Sequence, residues 1–263
     1  MRFHMLGRFE IQTDHGTTEV RSAPVRGLLA ALMLEEGRAV PVNELVDSLW
    51  DRPPSSACNN LRLHVTRLRR QLGAMSPMLK GRLVTLRGSG GAGYALRAES
   101  PELDVSEFRR LSRRADSAVR AGDFLAAERL LTEALALWRG PVGQDCTASA
   151  ELRRRLDMLG ELRLSVLEQL TDVRIVLGHT LDLTSAIHDV LRVAPFRETS
   201  WANLVRARYL SGDVEGACQA WSQATTLFRT ELGVDPSQAL HALHHAALSR
   251  DAPTLRRPFT TIR

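Results

Sequence analysis

The residues best suited to chemistry lie on one predicted helix, from Ser55 or Ser56 to Leu72 or Gly73. Laid out at 100° per residue, Leu61, Val65, Leu68 and Leu72 fall within about 60° and form its core side. Opposite them stand Asn59, Leu63, Thr66, Arg67 and Arg70, with Asn60 beside them and Arg62, Arg69 and His64 flanking. Such a face suits a DNA groove. A guanidinium matches the two acceptors of a guanine edge, an amide matches adenine, and an aliphatic side chain meets the thymine methyl. The alternative is an ordinary solvated helix surface.

The surrounding charge favours the groove. Between Arg52 and Ala98 the chain carries Arg52, Arg62, Arg67, Arg69, Arg70, Lys80, Arg82, Arg87 and Arg97, and not one carboxylate. Residues 1–100 hold 14 Lys and Arg against 9 Asp and Glu, whereas residues 101–263 hold 21 of each. The whole net charge of +5 therefore sits in the first hundred residues, and only that part is prepared for a polyanion. Of the 35 basic side chains all but Lys80 are arginine, a ratio that base composition explains and that carries no function here.

Other constellations are weaker. Gly88, Gly90 and Gly93 form a GxGxxG, but the dinucleotide motif needs a helix after it to receive the phosphate. The residues that follow, Tyr94–Leu96, read as a strand, so the glycines are expected to form a flexible hairpin tip. Lys80, with no Ser or Thr after it, makes no phosphate-binding loop. His241, His244 and His245 are the best metal candidates, with His241 and His245 on one helical face, yet no further ligand cluster accompanies them. Asp116, Asp123 and Asp213 read as turn and surface acids, not as an acid/base pair. Catalysis, cofactors and metals are accordingly not expected. Cys58, Cys146 and Cys218 are odd in number and never spaced as CxxC, which suggests buried thiols in a reducing cytoplasm. The opening MRFHMLGRFE lacks the apolar run of a signal peptide, and no stretch of 18 apolar residues would span a membrane.

The elements that must position the basic helix are legible around it. Phe3, Met5, Phe9, Ile11 and Val20 read as short strands broken by Gly7 and by Thr13–Gly16. Val25, Leu28, Leu29, Leu32 and Met33 recur at helical spacing up to Gly37. A short second helix carries Leu45, Val46, Leu49 and Trp50, with Asn43 as its expected N-cap and Pro53-Pro54 as its stop. After the basic helix, Arg82–Arg87 and Tyr94–Arg97 read as two strands joined by GSGGAG. Strands, three helices and a terminal hairpin make an α+β winged helix-turn-helix over residues 1–98.

From Pro101 the pattern changes to long amphipathic helices, giving an expected all-α domain over 99–263. The turn Ala121-Gly122-Asp123 recurs as Ser211-Gly212-Asp213, with Leu177-Gly178-His179 between. Gly178 and Gly212 are 34 residues apart, the tetratricopeptide period, and an alanine (Ala186, Ala220) follows eight residues after each. Gly122 to Gly178 is 56, so the repeats are irregular. Stacked helix pairs make an interaction surface, not a catalytic pocket.

Taken together, these residues resemble the Streptomyces antibiotic regulatory protein family, an OmpR-type winged helix followed by a bacterial transcriptional activation domain. The resemblance is carried by MRFHMLGRFEI, LVDSLW, LRLHVTRLRRQLG and GYALR in the first half. In the second it is carried by AGDFLAAERLLTEALALWRGP, the helix around Arg153–Glu168, and TELGVDPSQALHALHHAAL. It implies an activator of a secondary-metabolite gene cluster, acting on the nucleoid in the cytoplasm. Its implied partners are promoter DNA with direct repeats, bound by two subunits head to tail, and RNA polymerase holoenzyme with its sigma factor. Carried onto this chain, it makes Asn59, Asn60, Leu63 and Arg67 base-facing, and places Arg69 and Arg70 nearer phosphate. Arg87 and the wing around Gly93 and Tyr94 would approach the minor groove or flanking backbone. The chain reads Ala23-Pro24-Val25-Arg26 where relatives carry an additional Lys, leaving Arg26 as the implied phosphate or polymerase contact. A repressor of the same DNA-binding class, or a repeat-type scaffold with a basic docking region, are the rival readings.

Overall fold

The computed structural model describes residues 1–88, 91–143, 146–180 and 182–259. The chain forms two compact units: Met1–Leu111 with Glu133–Leu162, and Ser112–Thr132 with Arg163–Arg263. The sequence changes character near residue 98, but the first unit also takes in a later segment. Arg139 donates its backbone N–H to Leu6 O at 2.7 Å, Thr147 to Ala23 O at 3.1 Å and Ser149 to Ser48 O at 2.9 Å. These bonds stitch the later segment onto the first hundred residues.

The first unit opens with an antiparallel sheet of β1 (Arg2–His4), β2 (Glu10–Thr13) and β3 (Gly16–Glu19), in that order. Phe3 and Ile11 face each other across it, both fully buried. Helix α1 (Ala23–Leu34) follows. Its expected apolar stripe is buried, and so are Gly27, Ala30, Ala31 and Leu34, so this helix is enclosed on nearly every side instead of being amphipathic. A side chain at Gly27 would bring its Cβ within 1.9 Å of Thr147 O, which explains the glycine inside a helix.

Strand β4 (Val40–Pro41) leads directly into α2 (Val42–Leu49). The expected cap at Asn43 is therefore corrected. Pro41, extended and paired with Gly93, occupies the cap position, and Asn43 is the second helical residue. Helix α3 (Ala57–Met75) carries the basic face, and Leu61, Val65, Leu68 and Leu72 are at most 2% exposed as their phase requires. A short α4 (Pro77–Lys80) precedes the hairpin β5 (Leu83–Gly88) and β6 (Gly91–Leu96). The second sheet has the order β4-β6-β5, all antiparallel. Gly88 pairs with Gly91 and Leu86 with Gly93, so Gly88, Gly91 and Gly93 belong to the ladder and not to a flexible tip as the sequence suggested. Gly90, the middle glycine of the GxGxxG, lies outside the described residues.

Helices α5 (Asp104–Arg120), α6 (Phe124–Ala136) and α7 (Ala150–Leu177) each contribute residues to both units. The second unit continues with α8 (Leu183–Val193), α9 (Glu198–Leu210) and α10 (Val214–Leu227), which runs on into a π-turn at Phe228–Leu232. Helices α11 (Gln238–Leu248) and α12 (Ala252–Arg256) close it. Gly122, Gly178 and Gly212 all adopt positive φ, at 75°, 80° and 90°. In each case the residue after the glycine bonds five positions back: Asp123 to Ala118 O, His179 to Arg174 O and Asp213 to Arg208 O. This is the Schellman ending, in which a left-handed residue satisfies the last carbonyls of a helix. Asp123 and Asp213 then accept from the N–H groups of Ala126 and Gly216, starting the next helix.

The equivalence of Ala186 and Ala220 fails. Ala220 is buried and Ala186 exposed. Helix α8 begins five residues after Gly178, whereas α10 begins two after Gly212, so the two alanines sit at different phases.

At the centre of the second unit lies Arg206, fully buried. Its guanidinium donates to the Asp172 carboxylate, to Asn203 Oδ1 at 3.0 Å, and to the carbonyls of Leu255 at 2.8 Å and Arg257 at 2.6 Å. Asp172 also accepts from Phe259 N at 3.1 Å. The last helix is thus held by an internal ion pair, around which Leu204, Val205, Leu243 and Leu255 are fully buried.

Candidate nucleic-acid interface

The anchored side of α3 leaves the opposite side outward. Asn59, Arg62, Leu63, Thr66, Arg67 and Arg70 are exposed, with Leu63 46% exposed, and Asn60 is half-buried. Thr66 Oγ1 donates to Arg62 O at 2.9 Å, and Arg62 reaches Asn59 Oδ1 at 3.3 Å. Asn60 Nδ2 donates to Ser56 Oγ at 3.2 Å, holding the first turn of the helix. Asn59 keeps its amide N–H donors outward, while Arg67 and Arg70 have no hydrogen-bond or ion-pair partner among the described residues. Unpaired guanidiniums beside an amide and an exposed aliphatic offer the donor sets that base edges and phosphates accept.

His64 is not part of that surface. It is buried against Trp50, their ring centres 6.1 Å apart and the planes 27° from parallel. Burial, and then the charge of Arg67, hold its pKa below the ordinary 6.5, which favours the neutral imidazole as a packing element. The cysteine expectation also needs correcting at this helix. Cys58 is exposed, while Cys146 and Cys218 are half-buried, and all three are free thiols.

The nine basic side chains of the strip are not equivalent. Arg82 forms a two-pronged pair with Glu102, at 2.8 and 3.1 Å, and donates to Arg97 O at 3.0 Å. Arg69 turns towards the hairpin, where its Nε donates to Leu83 O at 2.9 Å and its terminal nitrogen to Thr85 Oγ1 at 2.8 Å. Its guanidinium lies 5.9 Å from the centre of the Tyr94 ring. Arg52, Arg67, Arg70, Lys80, Arg87 and Arg97 keep side chains without a partner among the described residues, and Arg87 stands exposed near the wing tip. Tyr94 is buried, at 7% exposed, and Gly93 is buried beneath Val40, whose carbonyl oxygen a Cβ would approach within 2.8 Å. Both are built into the wing, whose exposed residues towards the tip are Thr85, Leu86, Arg87, Gly91 and Ala92. Arg26, the implied phosphate or polymerase contact, directs its guanidinium to the carbonyls of Val20 and Arg21.

Sequence reading alone missed the third wing strand, Val40–Pro41, and the helix Ala252–Arg256. Two residues are too few for an alternation signal, and the Asp251 cap of the last helix was the available clue.

Elsewhere, His241 and His244 pack on Trp221, His244 parallel to the indole at 4.7 Å and His241 edge-on at 4.6 Å. Burial, then His241 and His245, lower the pKa of His244. Among the described residues no three His, Cys, Asp or Glu side chains group to hold a metal ion, and no helix is long and apolar enough to cross a membrane.

Residues 21–96 match the family model described as "transcriptional regulatory protein, C terminal", and residues 103–248 match the "bacterial transcriptional activator domain". Over 95% of this chain, the regulatory protein DnrI of Streptomyces peucetius is 31% identical and is covered over 93% of its own length. The chain belongs to the Streptomyces antibiotic regulatory protein family. It is also 31% identical to the transcriptional regulator RedD of Streptomyces coelicolor, over 98% of this chain and 73% of that one. The regulatory protein AfsR of the same organism is 34% identical over 95% of this chain, which spans only 24% of that protein's length. A solved structure of Mycobacterium tuberculosis EmbR, in complex with a low-affinity phosphopeptide, superposes with a TM-score of 0.86 at 28% identity, covering 99% of this chain and 68% of that one. As a member of this family the protein is a transcriptional regulator, with an OmpR-type winged helix followed by a helical activator domain.

Proposed function

We propose that the protein is a sequence-specific activator that binds direct repeats in promoter DNA as a head-to-tail pair and recruits RNA polymerase holoenzyme, including its sigma factor. The genes it controls are those of a secondary-metabolite cluster. Residues 1–98 do the DNA binding and 99–263 the activation.

One observation carries this reading. Arg67 and Arg70 stand exposed and unpartnered among the described residues, beside Asn59 and Leu63, on a helix inside a strip free of carboxylates. In this reading α3 enters the major groove with Asn59, Leu63 and Arg67 at base edges, and with Arg62, Thr66 and Arg70 towards the backbone. Arg87 reaches flanking phosphate. Phosphate neutralisation supplies most of the affinity and makes it steeply salt-dependent, while each two-pronged base contact adds about 1–3 kcal/mol of discrimination. Arg69, Arg82, Gly93 and Tyr94 support the wing from within.

Fluorescence anisotropy tests the binding, using a duplex of the direct repeat from the neighbouring promoters, a scrambled duplex and the single strand. The repeat duplex should bind tightest, and binding to a single half-site should be weaker. Equal binding to all three would favour a basic docking scaffold instead. In vitro transcription with purified holoenzyme should give more transcript when the protein is added, and less transcript would make it a repressor.

A further inference from the structure

We propose that Arg69 is a positioning residue that couples the base-reading helix to the wing, so that Arg87 contacts phosphate only while Arg69 grips the hairpin. This rests on the DNA-binding reading above.

An arginine in the middle of the basic strip would ordinarily count as one more phosphate contact. Its geometry says otherwise. Arg69 is half-buried and spends two donors on β5, at Leu83 O (2.9 Å) and Thr85 Oγ1 (2.8 Å). Its charged plane also lies over Tyr94, which is directly opposite Thr85 in the β5–β6 ladder. One guanidinium therefore clamps both strands of the hairpin at a single rung. A planar fork with a delocalised charge can do this, whereas an ammonium cannot match two fixed acceptors and a ring together.

Alternation along β5 puts residues 83, 85 and 87 on one face. Arg87 is two residues beyond the clamped rung, roughly 7 Å along the strand. The direction in which Arg87 projects is thus set by where α3 holds Arg69. Beyond the Leu86–Gly93 rung the ribbon is two-stranded, and a bare pair of strands twists and flexes readily. At that end β4 contributes only Val40 and Pro41, paired with Tyr94 and Gly93 on the far side of β6. Arg69 and Arg70 are neighbours in sequence with opposite duties, Arg70 turned outward and unpartnered among the described residues, Arg69 turned inward.

A double-substitution cycle on the full chain separates a strut from a phosphate contact. Affinity for the repeat duplex and its salt dependence are measured for the wild type, Arg87→Ala, Arg69→Ala, and both together. In the wild type, Arg87→Ala should weaken binding about tenfold and lower the slope of log affinity against log salt by about 0.9. Arg69→Ala should cost about as much as Arg87→Ala, and the double variant should fall no further. Arg69→Lys should behave like Arg69→Ala although it retains the charge.

Additive losses, with a further fall in slope in the double variant, would overturn the strut and make Arg69 a phosphate contact. Wild-type behaviour of Arg69→Lys would do the same. If Arg69→Ala fails to fold by circular dichroism, Thr85→Val removes only the hydroxyl acceptor and replaces it in the cycle. The DNA-binding reading fails separately, if wild type and Arg87→Ala bind repeat and scrambled duplexes alike.

Discussion

Arg82 and Glu102 form a two-pronged ion pair, with N–O distances of 2.8 and 3.1 Å, that joins the base of the wing to the turn before α5. Glu102 also accepts from Glu99 N at 2.8 Å, so its carboxylate caps that turn. The pair removes Arg82 from the set of free charges. It therefore predicts a stability effect where the acid-free strip alone predicts a binding effect. Arg82→Ala should lower the free energy of unfolding by about 1 kcal/mol, as expected for a partly exposed pair. Below the melting temperature it should leave the salt slope of DNA binding unchanged. Chemical denaturation alongside anisotropy measures both, and a slope lowered by a full contact would contradict the pairing.

Arg67 and Arg87 should fail in different ways. Arg67→Ala should remove a base contact, losing about 1–3 kcal/mol on the preferred repeat and little on scrambled duplex. Arg87→Ala should weaken both duplexes alike. Binding competitions against repeats changed one base pair at a time would show whether preference relaxes at one position for Arg67 and at none for Arg87.

Breaking the buried Arg206–Asp172 pair should be far more damaging than breaking a surface pair. Asp172→Asn leaves a buried guanidinium without its counter-charge, for a cost of about 3–5 kcal/mol. Because Arg206 also holds the carbonyls of Leu255 and Arg257, limited proteolysis should then cut first near α12. Cleavage confined to other segments, or a loss below about 1 kcal/mol, would rule out the pair as the clamp of the C-terminal segment.

Two histidines make stability fall towards acid. His64 and His244 both have pKa values lowered from 6.5, mainly by burial. Just below 6.5 the unfolded chain takes up protons that the folded chain refuses, so unfolding becomes easier as pH falls. The stabilisation is whole above the unfolded pKa and is lost as pH drops through the folded values. Between about pH 7.5 and 5.5 the melting temperature should decline, and His64→Phe with His244→Phe should flatten that decline while keeping rings against Trp50 and Trp221. An unchanged pH slope in the double variant would assign the decline to other groups. Trp221 fluorescence, which His244 stacking brings under the same titration, gives an independent reading.

Much of the site was legible because helical phase is a local property. Leu61, Val65, Leu68 and Leu72 specify which side of α3 is buried, and that choice turns Asn59, Leu63, Arg67 and Arg70 outward. The three glycine turns were legible for the same reason, since a left-handed residue at a helix end satisfies carbonyls only a few positions away. His64 escaped this logic. It flanks the outward face by phase, and only Trp50, fourteen residues earlier, decides that it is buried.

The sequence by itself determined the acid-free basic strip, the helix that carries it, and the order of strands, helices and hairpin. These follow from charge type and from periodicity, which need no knowledge of distant residues. The tertiary structure alone decided which of those charges remain available. Arg69 and Arg82 look like their neighbours in sequence, but long-range acceptors at Leu83, Thr85 and Glu102 claim them. Long side chains reach partners that periodicity cannot reveal, so the fate of an arginine depends on which carbonyl or carboxylate the fold brings within hydrogen-bond distance.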